Sequence, residues 1–315
     1  MGMRVAAVDI GTVTARLLVA DVANGRVSEV VRRSAITHLG EGWTQTGVLS
    51  AEGMARVEQV LAEFVTEARA LGATRFTGVA TSATRDAENA DEFLDRLAAV
   101  GLRPEVISGD REAYLSFRGA TYGAIGAGLL VVDVGGGSTE LVLGRVEAEE
   151  ARTTDIEMAR SIDIGSRRVT ELFLRSDPPT ARELDEAAGW AADELRPYFG
   201  ALRERPREMI SVAGTATSLA AIEQALDPYD SARVHGYRIT GPALVDTLER
   251  LASLKLEERR RVAGLEPERA GVIVGGALIL QTVMALAGLS STLVSEQDIL
   301  YGMVLDLDAS DGARP

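Results

Sequence analysis

What the chain lacks narrows its chemistry before any motif is read. It has no cysteine, which excludes disulfides and thiolate metal sites and agrees with a reducing cytoplasm. Histidine is nearly absent, with only His38 and His235. No charged leader with a cleavage site precedes the first apolar strand pattern, and no Pro-rich or low-complexity linker interrupts the 315 residues. We therefore expect a cytoplasmic protein. Basic surplus is missing too: 33 Lys and Arg stand against 47 Asp and Glu, a formal charge of −14. That balance argues against nonspecific nucleic-acid binding, which needs basic surface to displace counterions. It leaves an anionic small ligand open, because screening confines distant carboxylates to roughly 8–10 Å. Arg16, Arg85, Arg111, Arg118, Arg167 and Arg168 are candidate phosphate-holding arginines. One apolar run, residues 272–289, approaches the length of a membrane span. Its paired glycines, Gln281 and the preceding Glu266-Pro-Glu-Arg269 fit a buried helix better, so no membrane role is expected.

What is present is a doubled motif. Asp9-Ile-Gly-Thr-Val-Thr-Ala-Arg-Leu-Leu18 and Asp133-Val-Gly-Gly-Gly-Ser-Thr-Glu-Leu-Val142 align without a gap at an offset of 124 residues. Each reads as strand, Gly-rich turn, strand. Glycines allow such a turn to aim its N–H groups outward, and consecutive N–H groups form a concavity suited to anions. A carboxylate at the rim cannot hold phosphate directly, but it can hold a metal ion that does. A second echo follows in the same order, Val79-Ala-Thr-Ser-Ala-Thr84 and Val212-Ala-Gly-Thr-Ala-Thr217, which argues for a duplicated domain. A cleft between two similar lobes is the expected place for a small-molecule site.

The length exceeds a single core, so two domains are expected, and 46% hydrophobic with 25% charged residues is ordinary globular usage. Helical spacing marks Ser50 to Leu71, Asn89 to Val100 and Arg111 to Tyr122, while Arg75 to Ala80 and Arg103 to Ser108 read as strands. The second half repeats the order. It has a strand near Thr154 to Ile162 and helices at Ser166 to Leu174 and Thr180 to Gly200. A strand at Glu208 to Ala213 follows, then helices at Ser218 to Ala225, Gly241 to Ser253, Leu256 to Ala263 and Arg269 to Leu286, and a short strand at Thr292 to Ser295. The expected fold class is α/β with two duplicated lobes. The expected division is residues 1–126 and 127–315, with a last helix at about 297–310 packing back on the first lobe.

The doubled hairpin headed by Asp resembles the actin, hexokinase and Hsp70 superfamily. More narrowly, the chain resembles the exopolyphosphatase and guanosine pentaphosphate phosphatase family in its short, two-domain form. Both hairpins carry the match, with residues 79–89, Val106-Ile-Ser-Gly-Asp-Arg-Glu-Ala113 and Gly214-Thr-Ala-Thr-Ser-Leu-Ala-Ala221. Residues 164–171, 264–270 and 295–302 support it. The resemblance implies Mg²⁺-dependent hydrolysis of a terminal phosphoanhydride bond in inorganic polyphosphate, with guanosine pentaphosphate as an alternative substrate. A homodimer is a family-level expectation. Two histidines cannot supply the His-Asp metal domain of longer members, so short polymers or low processivity are expected.

By the same resemblance Glu112 is the catalytic base and Arg85 the arginine that meets the transferring phosphoryl group. Helix capping and a surface ion pair with Asp86 or Glu88 are their structural alternatives. Asp133 and Glu140 are candidate metal ligands, and Asp9 either shares the metal or structures its loop. Phosphate contacts fall to Gly11, Thr12, Thr14, Gly135, Gly136, Gly137, Ser138 and Thr139, and then to Gly214 and Thr215. Two departures stand out: Val13 replaces a usual Asn, and His38 a frequent Arg. Competing readings are a nonenzymatic sensor of polyphosphate or guanosine tetraphosphate, which Val13 favours, and an ATP-dependent small-molecule kinase of the same fold.

Overall fold

The computed structural model of the protein describes residues 2–147 and 154–312. One mixed sheet contains β1 Met3–Ile10, β2 Thr14–Ala23, β3 Arg26–Ile36, β4 Arg75–Ala80 and β5 Glu105–Val106, in spatial order β3-β2-β1-β4-β5. The other contains β6 Gly126–Val134, β7 Thr139–Val146, β8 Thr154–Ile162, β9 Glu208–Val212, β10 Arg238–Thr240 and β11 Ser291–Val294, in order β10-β11-β9-β6-β7-β8. In both, three antiparallel strands lead into parallel neighbours: β1 pairs with β4 as β6 pairs with β9. Read from β8, the second order repeats the first and adds β10 at its edge. This is the duplicated α/β architecture that the paired hairpins implied.

Contacts divide the chain into two compact units. One takes the described residues up to Tyr122 together with those from Gln297 onward, and the second is Gly123–Glu296. In the first unit β1 is buried on both faces, and its side chains alternate between two cores. Ala6, Val8 and Ile10 join a cluster with Val57, Leu61 and Phe64 of the helix Ala51–Ala70, whereas Val5 and Ala7 join Leu300 and Val304 of the last helix. Period-two alternation produces this split. The helix Ala51–Ala70 starts where Ser50 accepts from the Gly53 N–H at 3.1 Å, satisfying one of the orphan donors at its N-terminus. The last helix, Ile299–Gly312, lies against the helix Gly109–Ala120 at two glycines. A Cβ on Gly119 would sit 1.8 Å from Asp298 O, and one on Gly302 2.0 Å from Leu115 O.

The second unit centres on the helix Ile273–Ala287, buried on nearly every face among the helices Ser166–Phe173, Ala181–Ala201 and Gly241–Ser253. Each fully buried Leu or Ile there contributes about 1.5–3 kcal/mol. This is the apolar run weighed above as a membrane span. No helix among the described residues is long and apolar enough to cross a membrane.

Local expectations fail where turn chemistry overrides periodicity. The strand expected over Arg103 to Ser108 shrinks to β5, because Pro104 lacks a donor and Ser108 already caps the next helix, accepting from Arg111 N–H at 3.2 Å. The helix expected from Ser218 begins at Ala213, whose left-handed φ of 61° turns the chain straight out of β9. The pattern from Arg269 to Leu286 starts as a 3₁₀ turn, Pro267–Arg269, before the helix proper at Ile273. The helix expected over Leu256 to Ala263 is one turn, Leu256–Arg259.

Candidate active site

The two Gly-rich turns share one wiring scheme. Gly11 N–H donates to Thr14 O at 3.0 Å, and 124 residues later Gly135 N–H donates to Ser138 O at 3.0 Å. Loop carbonyls are then held from behind. In the first turn Thr12 O accepts from Gly40 at 2.9 Å, and Val13 O accepts from Thr37 and His38 at 2.8 and 2.9 Å. In the second, Gly135 O accepts from Ser166 at 2.8 Å, and Gly136 O accepts from Arg167 and Arg168 at 3.0 and 3.2 Å. The Arg168 Nε group also donates to Gly137 O at 3.1 Å. Consequently the amides of Gly136, Gly137 and Ser138 donate to no group among the described residues, and neither do those of Thr12 and Val13. Backbone amides in sheltered positions nearly always have partners, and a run of open ones is a concavity of the kind that suits an anion.

The frame also engages the hydroxyls of two residues expected to contact phosphate, Thr139 and Thr215. The Thr139 hydroxyl donates to Ile164 O at 2.6 Å and the Thr215 hydroxyl to Val134 O at 2.9 Å, so both brace the frame. The Val13 side chain is buried and its backbone supplies the loop geometry, so the missing Asn side chain leaves the amide available. Gly165 is needed for close approach: a Cβ there would meet Gly136 O at 2.3 Å and Gly137 N at 2.5 Å.

The carboxylates divide by unit. Asp133 and Glu140 are directly opposed in the antiparallel β6–β7 pair and therefore share a face. Both are buried, and Ser161 Oγ donates to Glu140 Oε1 at 2.6 Å. At the matching positions of the first hairpin, Asp9 faces Arg16. Arg16 donates to Asp9 Oδ2 at 2.6 and 2.9 Å and through Nη1 to Asp298 Oδ2 at 2.6 Å. Burial pushes the Asp9 carboxyl above its usual range, against the opposing pull of Arg16. No group of three or more His, Cys, Asp or Glu side chains suited to a metal forms among the described residues. Mg²⁺ does not require one, since it takes one or two carboxylates and completes its octahedron with phosphate oxygens and water. Asp133 and Glu140 fit that donor set, while the Asp9 Oδ2 atom is already committed to Arg16.

Glu112 lies in the first turn of the helix Gly109–Ala120, is 8% exposed, and meets Arg85 with Oε2 to Nη1 at 3.4 Å. Arg85 also donates to Ile107 O at 3.3 Å and pairs with Asp86 at 3.4 Å. The catalytic pair expected from the sequence is thus brought together, and the expected surface contact with Asp86 is present as well. Arg111 and Arg118 pair with Asp306 of the last helix at 2.5 and 3.1 Å, and Arg167 pairs with Glu171 at 3.3 Å. Two residues escaped sequence reasoning. Asp298 ties the start of the last helix to Arg16, and Arg269 lies over Gly214; their partners are too far away in the chain for spacing to reveal them.

Paired Gly-rich hairpins on a twice-repeated mixed sheet define a duplicated α/β fold. Within it, the model of the Ppx/GppA phosphatase family matches residues 18–307, and the chain belongs to that family. A Mycobacterium tuberculosis protein named exopolyphosphatase 2 is 40% identical over 324 residues, covering 96% of this chain and 98% of the relative. The crystal structure of an exopolyphosphatase-like protein superposes with a TM-score of 0.93 at 35% identity, covering 99% of both chains. That of the Aquifex aeolicus family member gives 0.80 at 30% identity over 100% of both.

Proposed function

We propose that this protein is an exopolyphosphatase: it hydrolyses the terminal phosphoanhydride bond of inorganic polyphosphate and releases orthophosphate. The observation that carries this reading is the set of open amides at Gly136, Gly137 and Ser138 beside the opposed carboxylates Asp133 and Glu140. Donors fixed before the reaction and aimed at developing charge are worth about 10²–10³ in rate each. Glu112 is the proton acceptor: water attacks the terminal phosphorus, its proton passes to the carboxylate, and the bridging P–O bond breaks with its electrons leaving on the shortened chain. Arg85 holds Glu112 in place and presents its guanidinium to the charge on the phosphoryl group. Asp133 and Glu140 would hold Mg²⁺, which when bound supplies charge neutralisation at phosphate oxygens. Guanosine pentaphosphate is a second substrate under this reading, and a homodimer the assembly.

Phosphate release from polyphosphate, guanosine pentaphosphate and ATP, each with Mg²⁺, tests it. Glu112→Gln is expected to lose about 10²–10⁴ in kcat on polyphosphate, the usual worth of a general base. Turnover that survives this change removes Glu112 from the mechanism, and binding without turnover by the wild type identifies a sensor.

A further inference from the structure

The open loop is held from behind by the start of one helix. No side chain caps the N-terminus of the helix Ser166–Phe173. Its first amides donate to the loop instead, Ser166 N–H to Gly135 O at 2.8 Å, and Arg167 and Arg168 N–H to Gly136 O at 3.0 and 3.2 Å. Orphan donors of a helix start and carbonyls of a glycine turn thus satisfy each other. Gly137 O is tied differently. It accepts from no backbone amide among the described residues, and its donor is a side chain, Arg168 Nε at 3.1 Å.

These carbonyls decide where the loop amides point. A trans peptide is planar, with its C=O and the following N–H on opposite sides. Tying back the oxygens of Gly135, Gly136 and Gly137 therefore aims the amides of Gly136, Gly137 and Ser138 the other way. The first two oxygens are tied by backbone groups, which a side-chain substitution leaves in place. The third depends on one side chain, in a turn whose glycines leave the peptide planes easy to rotate. A Gly137–Ser138 plane turned over would present a carbonyl oxygen where the Ser138 N–H had been, and would repel an anion. The first hairpin supplies the contrast. At the equivalent position Val13 O accepts from Thr37 and His38 N–H at 2.8 and 2.9 Å, so two backbone amides do there what Arg168 does here.

We propose that Arg168 is a positioning residue: its Nε–H holds Gly137 O back and so keeps the Ser138 amide aimed at the phosphoryl group, without Arg168 itself meeting the substrate. The inference rests on the exopolyphosphatase reading and adds the side chain that sets one of the donors of its phosphate receptor.

Three replacements separate donor from charge. The amide nitrogen of glutamine is bonded to Cδ, as Nε of arginine is, so Arg168→Gln keeps a donor at that place and loses the charge. Arg168→Lys keeps the charge but has carbon at that place, and Arg168→Met keeps neither. Each is measured on the full chain, with urea denaturation to establish that it is folded. On polyphosphate with Mg²⁺, kcat is expected to fall about 10²-fold in the Met and Lys variants, at the low end of the worth of one preorganised donor, while Arg168→Gln retains most of it. Titration with inorganic phosphate, followed by NMR, reads the same geometry without turnover. The Ser138 amide proton is expected to shift in the wild type and in Arg168→Gln, and to stay in place in Arg168→Met. Wild-type kcat in a folded Met or Lys variant overturns the proposal, as does a loss in Arg168→Gln equal to that in Arg168→Met. Activity kept by lysine and lost by glutamine would instead assign Arg168 to direct charge contact with the substrate. A wild type that does not hydrolyse polyphosphate overturns the exopolyphosphatase reading, and the positioning role is then decided by the Ser138 shift alone. A wild type whose Ser138 amide ignores phosphate overturns the receptor and this proposal together.

Discussion

Replacing Gly165 by alanine isolates the contribution of the open loop. The residue has φ −135° and ψ 165°, a conformation open to any amino acid, so its backbone gives no reason to resist a methyl group. The reason lies in contact: the new Cβ would be 2.3 Å from Gly136 O and 2.4 Å from Gly136 C, where ordinary contact begins at 3.4 Å. Gly136 must retreat by about 1 Å, and a displacement of that size in a positioning group costs on the order of 10²-fold in rate. The same retreat strains the bonds that Gly136 O accepts from Arg167 and Arg168, worth about 0.5–1.5 kcal/mol each. We therefore expect Gly165→Ala to unfold at lower urea, with stability reduced by roughly 1–3 kcal/mol, and to lose about two decades of kcat on polyphosphate. Gly189 is the control, since a Cβ there meets nothing within 4 Å and the residue is exposed in the helix Ala181–Ala201. Its alanine variant should keep full activity and gain about 0.5–1 kcal/mol. Full kcat in a folded Gly165→Ala protein would refute the assignment of this loop as the phosphate receptor.

Three other outcomes are expected. Gly302→Ala places a methyl 2.0 Å from Leu115 O and should lower stability by about 1–3 kcal/mol or more as the two helices part; an unchanged denaturation midpoint would contradict the packing. Glu183 closes a capping box with Thr180, whose backbone N–H is the main cause holding its carboxyl at about 2. A depressed acid stabilises the fold fully above its ordinary range and loses that contribution as pH falls. The melting-temperature deficit of Glu183→Ala should therefore be complete at pH 7 and close as pH drops toward 2, and a deficit constant across that window would exclude linkage. Asp133→Asn should raise the Mg²⁺ concentration needed for half-maximal activity, and an unchanged titration would remove Asp133 from the metal site.

Much of the fold was legible because duplication leaves a trace in order as well as in composition. The two hairpins, the apolar spacing of Met54, Val57, Leu61, Phe64 and Val65, and the family motifs led to the α/β class and the family directly. Less legible was whatever depends on one backbone angle or one distant partner. Ala213 starts a helix through a left-handed φ that its side chain does not advertise, and Gly-Thr-Ala-Thr after it reads as a loop by propensity. For the site, glycine counts pointed to an anion loop but could not say which hydroxyls faced outward. Thr139 and Thr215 turned inward because Ile164 O and Val134 O needed donors. Arg269 was invisible because its meaning depends on Gly214, which lies far from it in the chain and nearby in space.

The duplicated hairpins also show which part of the site can depend on side chains. Their backbone wiring is similar: one amide closes each turn, carbonyls are tied back at Thr12 and Val13 in the first and at Gly135 and Gly136 in the second, and neighbouring amides stay open among the described residues. At the position opposite the leading aspartate they differ in sign, with Arg16 in one and Glu140 in the other. A carboxylate facing an arginine is neutralised in place and has little need of a cation. An opposed pair of carboxylates instead offers oxygen donors of the kind Mg²⁺ takes, which is why the proposed metal site falls on the second hairpin. Receptor and metal site are therefore separable. Under the proposed reading the amide receptor belongs to the repeat itself, whereas the metal site depends on a single exchange of charge at the eighth residue of the repeated motif, counting from Asp9 or Asp133.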